Sequence, residues 1–142
     1  MKQALKSASL VVLALIMSCM VLVSCGKDNG TTTEKMLYTE DTTLGQGATQ
    51  FTFVCEHMDG KKVTFTINTD EKTVGAALLG VKLIEGEESS YGLYVKKVNG
   101  ITQDYDVDQT YWSFYIDGEY ASTGVDATNV ESGKTYMFKA AK

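Results

Sequence analysis

Strict alternation of apolar and other residues in two neighbouring runs constrains the fold of this chain most. Residues 51–56 (FTFVCE) and 63–68 (VTFTIN) both carry an apolar side chain at every second position. This period is typical of β-strands that bury one face. Asp59 and Gly60 form a turn signal between the runs, so we predict a β-hairpin.

A short helix is predicted directly after this hairpin. Four apolar residues recur at helical spacing and define one face: Val74, Ala77, Leu78 and Val81. Thr73 precedes them as the predicted N-cap. Gly75 and Gly80 each lower helix stability by about 1 kcal/mol relative to alanine, so this helix depends on packing. The acidic run 85–88 is predicted to end it.

Strand-like runs return after the helix, at residues 91–98, 111–116 and 135–139. Asp117-Gly118 turns the middle run toward a short partner at 119–122, and Ser132-Gly133 leads into the last run. Strands on both sides of one helix favour an α+β architecture. We therefore predict a β-grasp-like domain, in which a small mixed sheet of about four to six strands packs on one helix.

The N-terminus has the layout of a secretory signal. Lys2 and Lys6 precede an apolar run at residues 10–23. As a helix this run would be about 21 Å long, whereas the hydrocarbon core of a bilayer is about 30 Å thick. The run is therefore short for a membrane span and typical of a signal peptide.

The end of this segment, Leu22-Val23-Ser24-Cys25, resembles a bacterial lipobox. We predict a lipoprotein signal peptide over residues 1–24 and a Cys25 that carries lipid, including palmitate. The lipid would anchor the chain to the extracytoplasmic face of the bacterial cell membrane, or to the outer membrane if the host has one. An ordinary signal peptide that contains cysteine is the alternative.

Composition after this signal excludes several classes of protein. Of the residues after position 24, 18 are acidic, 11 are lysine and none is arginine, so a nucleic-acid partner is not expected. Removal of Cys19 and lipidation of Cys25 leave Cys55 alone, so we expect no disulfide. The polar residues 25–50 are predicted to form a flexible tether, and residues 51–142 the folded domain.

Four segments in the second half of the chain resemble a known family. They are residues 87–101 (EESSYGLYVKKVNGI), 111–121 (YWSFYIDGEYA), 124–126 (GVD) and 131–136 (ESGKTY). The family is related to the C-terminal domain of transcobalamin and intrinsic factor, and its bacterial members are commonly small lipoproteins. In the vertebrate carriers this domain caps cobalamin against a helical barrel. The resemblance implies a non-catalytic binding module for a small ligand such as a corrinoid.

Aromatic residues provide the candidate binding surface. Period two places Tyr111, Ser113 and Tyr115 on one side of a strand and Trp112, Phe114 and Ile116 on the other. The second set is more apolar and is predicted to pack on the helix. We predict ligand contacts from four residues: Tyr94, Tyr111, Trp112 and Tyr115. Two alternatives stay open: the tyrosines form a protein–protein adaptor surface, or they merely cover the sheet.

Three carboxylates at Asp104, Asp106 and Asp108 are spaced like the start of a calcium loop. Such a loop needs glycine at its sixth position and glutamate at its twelfth, where Gln109 and Tyr115 stand. An exposed acidic turn is the better interpretation, although weak calcium binding stays open.

Cys55, His57 and Asp59 could form one corner of a metal site or a Cys-His pair. Too few ligands accompany them to close a metal site, and no third group orients a catalytic pair. We therefore predict no metal site, no cofactor and no catalytic residues.

Overall fold

The structure is a computed structural model that describes residues 34–142. The predicted signal peptide, the predicted lipidation site Cys25 and the first part of the predicted tether lie outside the described residues. In chain order the elements are β1 (Thr42–Gly45), β2 (Thr49–Glu56), β3 (Lys62–Thr69), α1 (Val74–Gly80), β4 (Ile84–Ser89), β5 (Gly92–Val98), β6 (Ile101–Thr102), α2 (Tyr105–Asp108), β7 (Tyr111–Ile116), β8 (Glu119–Tyr120), a 3₁₀ turn (Val125–Ala127) and β9 (Thr135–Ala141).

Six of these strands form the larger, mixed sheet, in the order β1-β3-β2-β9-β7-β8. β1 runs parallel to β3 and β2 runs parallel to β9, whereas the other neighbours are antiparallel. The predicted hairpin of β2 and β3 is confirmed, with the Phe53–Phe65 pair at its centre. The backbone N–H of His57 donates to the carbonyl oxygen of Lys61 at 2.8 Å and closes the turn.

The hydrophobic core lies on one face of this sheet. Its side chains come from alternate positions of the central strands, and they include Phe51, Phe53, Phe65, Ile67, Tyr136 and Phe138. α1 contributes Val74, Ala77 and Leu78. The hydroxyl of Thr73 accepts the Ala76 N–H at 3.2 Å, so the predicted N-cap is confirmed. The mixed sheet with one packed helix therefore has the predicted size.

A second sheet, of three strands in the order β4-β5-β6, was not predicted. The acidic run expected only to end the helix forms β4, which pairs with β5 along its length. The pairing register shifts between Glu85 and Gly86. A Cβ atom on Gly86 would lie 2.2 Å from the carbonyl oxygen of Tyr94, so glycine permits this close approach. Five of the six β4 residues are exposed, which removes the alternating pattern that sequence analysis detects.

The predicted boundary between tether and domain at residue 51 is wrong. Residues 42–45 form β1, and residues 34–39, here called the strap, lie against the turn between β5 and β6. The buried amide of Asn99 accepts the N–H of Tyr38 at 2.9 Å and donates to its carbonyl oxygen at 2.8 Å. The Leu37 N–H donates to the carbonyl oxygen of Asn99 at 3.0 Å. The hydrogen bonds to Asn99 and the packing of the Tyr38 ring on Phe65, with centroids 5.6 Å apart, hold this segment.

No helix in residues 34–142 has the length and apolar character needed to cross a membrane.

Candidate functional site

β7 separates its side chains as the alternation predicts. Trp112 and Phe114 are buried on the core side of the sheet. Tyr111 and Tyr115 lie on the opposite, outer face and are half-buried. Ser113 lies between them, and its hydroxyl donates to the carbonyl oxygen of Lys139 at 2.8 Å.

Two further tyrosines extend this outer row, giving what we call the tyrosine strip: Tyr105, Tyr111, Tyr115 and Tyr120. The rings of Tyr105 and Tyr111 meet edge to face with centroids 6.5 Å apart. The rings of Tyr115 and Tyr120 do the same at 5.5 Å. The outer members, Tyr105 and Tyr120, are 56% and 69% exposed. Each pair holds an exposed ring against a less exposed one, so the strip is a preformed aromatic surface.

The sheet continues this surface beside the strip. Tyr115 is paired with Met137, which is paired in turn with Val54, so these side chains form one apolar row across three strands. The next row is charged: Glu56 contacts the ammonium groups of Lys139 at 3.0 Å and Lys62 at 3.3 Å. Hydrogen bonding to Lys139 is the main cause that lowers the pKa of the Glu56 carboxyl. The outer face of the larger sheet therefore carries aromatic, apolar and charged side chains side by side.

Tyr94 and Trp112 lie elsewhere, in a crevice between β5 and β7. This crevice has a volume of about 160 Å³. The indole N–H of Trp112 donates to the carbonyl oxygen of Lys96 at 3.1 Å and so joins the two sheets. Lys96 also lies 5.7 Å from the centre of the Tyr94 ring. Small-molecule sites usually measure about 300–1,000 Å³, so this crevice is too small for a large ligand.

The four residues predicted to bind ligand therefore divide into two places. Tyr111 and Tyr115 belong to the tyrosine strip, whereas Tyr94 and the buried Trp112 line the crevice behind the same sheet. Tyr105 and Tyr120 were not among the predicted contacts. The position of Tyr120 could have been predicted from the two-residue turn at 117–118. This turn sets the β7–β8 register, and that register pairs Tyr120 with Tyr115.

The Cys55–His57 pair lies inside the protein. The Cys55 sulfur is 3.5 Å from Nε2 of His57. Burial raises the pKa of the Cys55 thiol to about 12, so this thiol stays protonated at neutral pH. Burial also lowers the pKa of the His57 imidazole. A protonated, buried thiol is neither an activated nucleophile nor a ready metal ligand.

Two of the three carboxylates in the acidic turn at residues 104–108 make contacts within the fold. Asp104 accepts the N–H of Asp106 at 3.0 Å and contacts the ammonium of Lys96 at 3.4 Å. Asp108 accepts both the N–H and the hydroxyl of Thr110, and these bonds lower the pKa of its carboxyl. In residues 34–142, no three His, Cys, Asp or Glu side chains cluster in a way that could hold a metal ion.

Comparison with known proteins places this fold in a family. Residues 72–142, half of the chain, match the domain of unknown function DUF4430. The chain belongs to the DUF4430 family. The matched part begins just before α1 and includes the second sheet, β7 and the tyrosine strip. No curated protein matches the sequence.

Two solved structures share the fold. A candidate metal-binding protein from Ruminococcus gnavus ATCC 29149 is 29% identical with a TM-score of 0.64, and the match covers 67% of this chain and 98% of that one. Haptocorrin in complex with Cbi is 18% identical with a TM-score of 0.56, and the match covers 70% of this chain and 26% of haptocorrin. The chain thus corresponds to about a quarter of haptocorrin, and the transcobalamin-like resemblance is supported at the level of the fold.

Proposed function

We propose that this DUF4430 protein is a lipid-anchored, extracytoplasmic ligand-binding module without catalytic activity. The tyrosine strip is the observation that carries the proposal. It presents four preorganised rings on the outer face of a sheet whose other face is filled by the core. Rings with apolar faces and polar tips bind flat ligands well, because they lose little conformational freedom on binding.

The ligand class that fits the strip best is a large, flat molecule with polar edges, such as a corrinoid. The strip is open, so it can contact a planar ring system that the crevice of about 160 Å³ cannot hold. Haptocorrin, which shares the fold, was solved with Cbi. Because the present chain matches only 26% of haptocorrin, it would hold such a ligand from one side. We expect affinities no tighter than about micromolar.

A metal-binding role is less well supported, although the Ruminococcus gnavus protein was described in those terms. Two of the three carboxylates of the acidic turn, those of Asp104 and Asp108, are already bound to Lys96, to Thr110 and to backbone N–H groups. The Cys55 thiol is held in its protonated form.

Alanine substitution of the strip tests the ligand proposal. Tyr111→Ala and Tyr115→Ala each remove one stacking ring and should weaken ligand binding about three- to ten-fold, without unfolding the domain. Isothermal titration with cobinamide, with cobalamin and with oligosaccharides measures the effect on the full chain. Thr66→Ala is the matched control, because Thr66 lies on the same outer face, and β2 and β9 separate its strand from β7. Equal affinity of both tyrosine variants and the parent would place the site elsewhere.

A protein–protein adaptor at the cell surface is the second candidate, and the flatness of the strip favours it. The apolar row of Val54 and Met137 enlarges the strip toward the size of a protein contact. Photo-crosslinking from position 115 in intact cells separates the two functions. A single protein adduct that Tyr111→Ala abolishes, in a chain that binds none of the titrated small molecules, would establish the adaptor.

Lipid anchoring rests on the lipobox at residues 22–25. Replacing Cys25 with alanine removes the only thiol at the acylation position, so we expect incorporation of labelled palmitate to be lost. The variant should also remain unprocessed or leave the membrane fraction. Cys55→Ala is the control and should label like the parent, because Cys55 is buried in the folded domain. Undiminished labelling of the Cys25 variant would refute the anchor.

A further inference from the structure

A second concave site shares no residue with the tyrosine strip. It is a cleft of about 730 Å³ between the strap, the β2–β3 turn and the segment that follows β6. This volume falls within the range of about 300–1,000 Å³ that small-molecule sites occupy. Met36 from the strap, Met58 from the turn and Ile101 from β6 give the cleft its apolar walls.

The walls of the cleft are fixed by hydrogen bonds within the fold. The carboxylate of Glu34 accepts the N–H of Thr102 at 2.5 Å, which ties the beginning of the strap to β6. The carboxylate of Asp59 accepts the N–H of Lys61 at 3.0 Å, which braces the β2–β3 turn. Both acidic side chains at the cleft therefore already have partners. Such preorganisation lowers the entropic cost of binding a ligand.

Two polar residues that line the cleft, His57 and Gln103, are buried. His57 lines the cleft although it is only 8% exposed, and its ring packs edge to face against Trp112 with centroids 6.0 Å apart. Nε2 contacts the sulfur of Cys55. Nδ1 has no hydrogen-bond partner among residues 34–142, and it is not sealed from solvent, since Asp126 Oδ1 is the one buried and unpaired side-chain atom there. Nδ1 is therefore an accessible, unpaired polar atom of a side chain that lines the cleft.

The lining of the cleft carries two acidic side chains, Glu34 and Asp59, and two lysines, Lys35 and Lys61. Lys61 makes only a long contact of 3.8 Å with Asp59, and both of these side chains are more than half exposed. Lys35 also lines the cleft and takes part in none of the ion pairs between the residues that the structure describes. A lysine without a carboxylate partner beside an apolar cleft can pair with an acidic ligand.

We propose that this cleft binds a small organic acid, with an apolar body between Met36, Met58 and Ile101 and a carboxylate held by Lys35 and His57. The Cys55 thiol is a donor, and its contact with Nε2 favours the tautomer whose hydrogen is on Nδ1. That N–H can donate to the carboxylate. The site is independent of the tyrosine strip, so each can fail without the other.

The single histidine of the chain allows a direct test. The imidazole C–H resonances of the full-length protein, kept in solution with a mild non-ionic detergent, are followed by NMR during titration with 4-tert-butylbenzoate. We expect a saturable shift of these resonances. Lys35→Gln should weaken binding about two- to five-fold, as expected for loss of an exposed ion pair. Met58→Glu should abolish the saturable shift, because it places a second carboxylate on the apolar wall.

Three controls make the outcome decisive. Lys72→Gln removes an exposed lysine outside the cleft and should bind like the parent. Tyr111→Ala should also leave the titration unchanged. The neutral analogue 4-tert-butylbenzamide should bind more weakly than the acid. A shift that stays linear with concentration would overturn the site, and equal affinity for the amide would overturn its preference for an acid. Free variants whose His57 resonances match the parent have retained the fold.

Discussion

Replacing Trp112 with alanine lowers the free energy of unfolding by about 3–5 kcal/mol. The indole is 7% exposed and packs against the ring of His57. Its N–H also joins β7 to β5 through the carbonyl oxygen of Lys96. The substitution therefore opens a cavity at the place where the two sheets meet. Chemical denaturation followed by far-UV circular dichroism measures the loss, since the variant has no tryptophan left for fluorescence.

Trp112→Phe separates the packing of this side chain from its hydrogen bond. Phenylalanine retains much of the apolar contact, and the carbonyl oxygen of Lys96 keeps the N–H of Gln103 as a donor at 2.8 Å. We therefore expect a smaller loss, of about 1–2 kcal/mol. Tyr111→Ala on the outer face serves as the second reference. A Trp112→Ala protein as stable as Tyr111→Ala would contradict the assignment of Trp112 to the core.

Two glycines of α1 should respond to alanine with opposite signs. A Cβ atom on Gly75 would lie 2.8 Å from Cα of Asp126, in the backbone of the 3₁₀ turn. Gly75→Ala should therefore push the helix off this turn and destabilise the domain by about 1–3 kcal/mol. A Cβ atom on Gly80 meets nothing within 4 Å. Gly80→Ala should stabilise the domain by up to about 1 kcal/mol, through helix propensity alone.

Thermal unfolding of the two variants beside the parent tests this reversal of sign. Helix propensity taken by itself predicts the same gain from both substitutions. A gain from Gly75→Ala would therefore show that α1 and the 3₁₀ turn are not in close contact in solution. A loss from Gly80→Ala would indicate that the C-terminal end of α1 differs from the structure.

The central elements of the fold were predictable because each carries a local pattern. Strict alternation identified β2, β3 and β7, and a helical period after a capping threonine identified α1. Each pattern arises because one face of the element is buried against the core, and this burial is the main source of its stability. The alternation also assigned Trp112 and Tyr111 to their correct faces.

The peripheral elements were missed because backbone contacts define them. β1 has one apolar side chain that packs on the core, Leu44, and the strap is held largely by the amide and carbonyl groups of Asn99. β4 is acidic and almost wholly exposed. Long-range hydrogen bonds of this kind leave no periodic trace in a sequence. The cleft was not predicted either, because the strap that forms one of its walls was expected to belong to the tether.

The candidate site was predicted only in part, for a geometrical reason. A run of aromatic residues in one strand looks like one cluster in the sequence, but alternation divides it between two faces. Tyr111 and Tyr115 therefore reach the outer surface, while Trp112 reaches the core. Tyr105 joins the strip from α2, the short helix before β7, which no local pattern revealed.

The parallel pairing of β2 with β9 determines when the domain can fold. Thr52 is paired with Thr135, so the centre of the larger sheet forms only after nearly all of residues 34–142 are available. Contacts between such distant positions slow folding, because a long loop must be closed first. A chain stalled before β9 would leave β2 and β7 each with one unpaired edge, and such edges promote aggregation. If the chain is exported as we propose, the same delay during synthesis would keep it unfolded while it passes through the export channel.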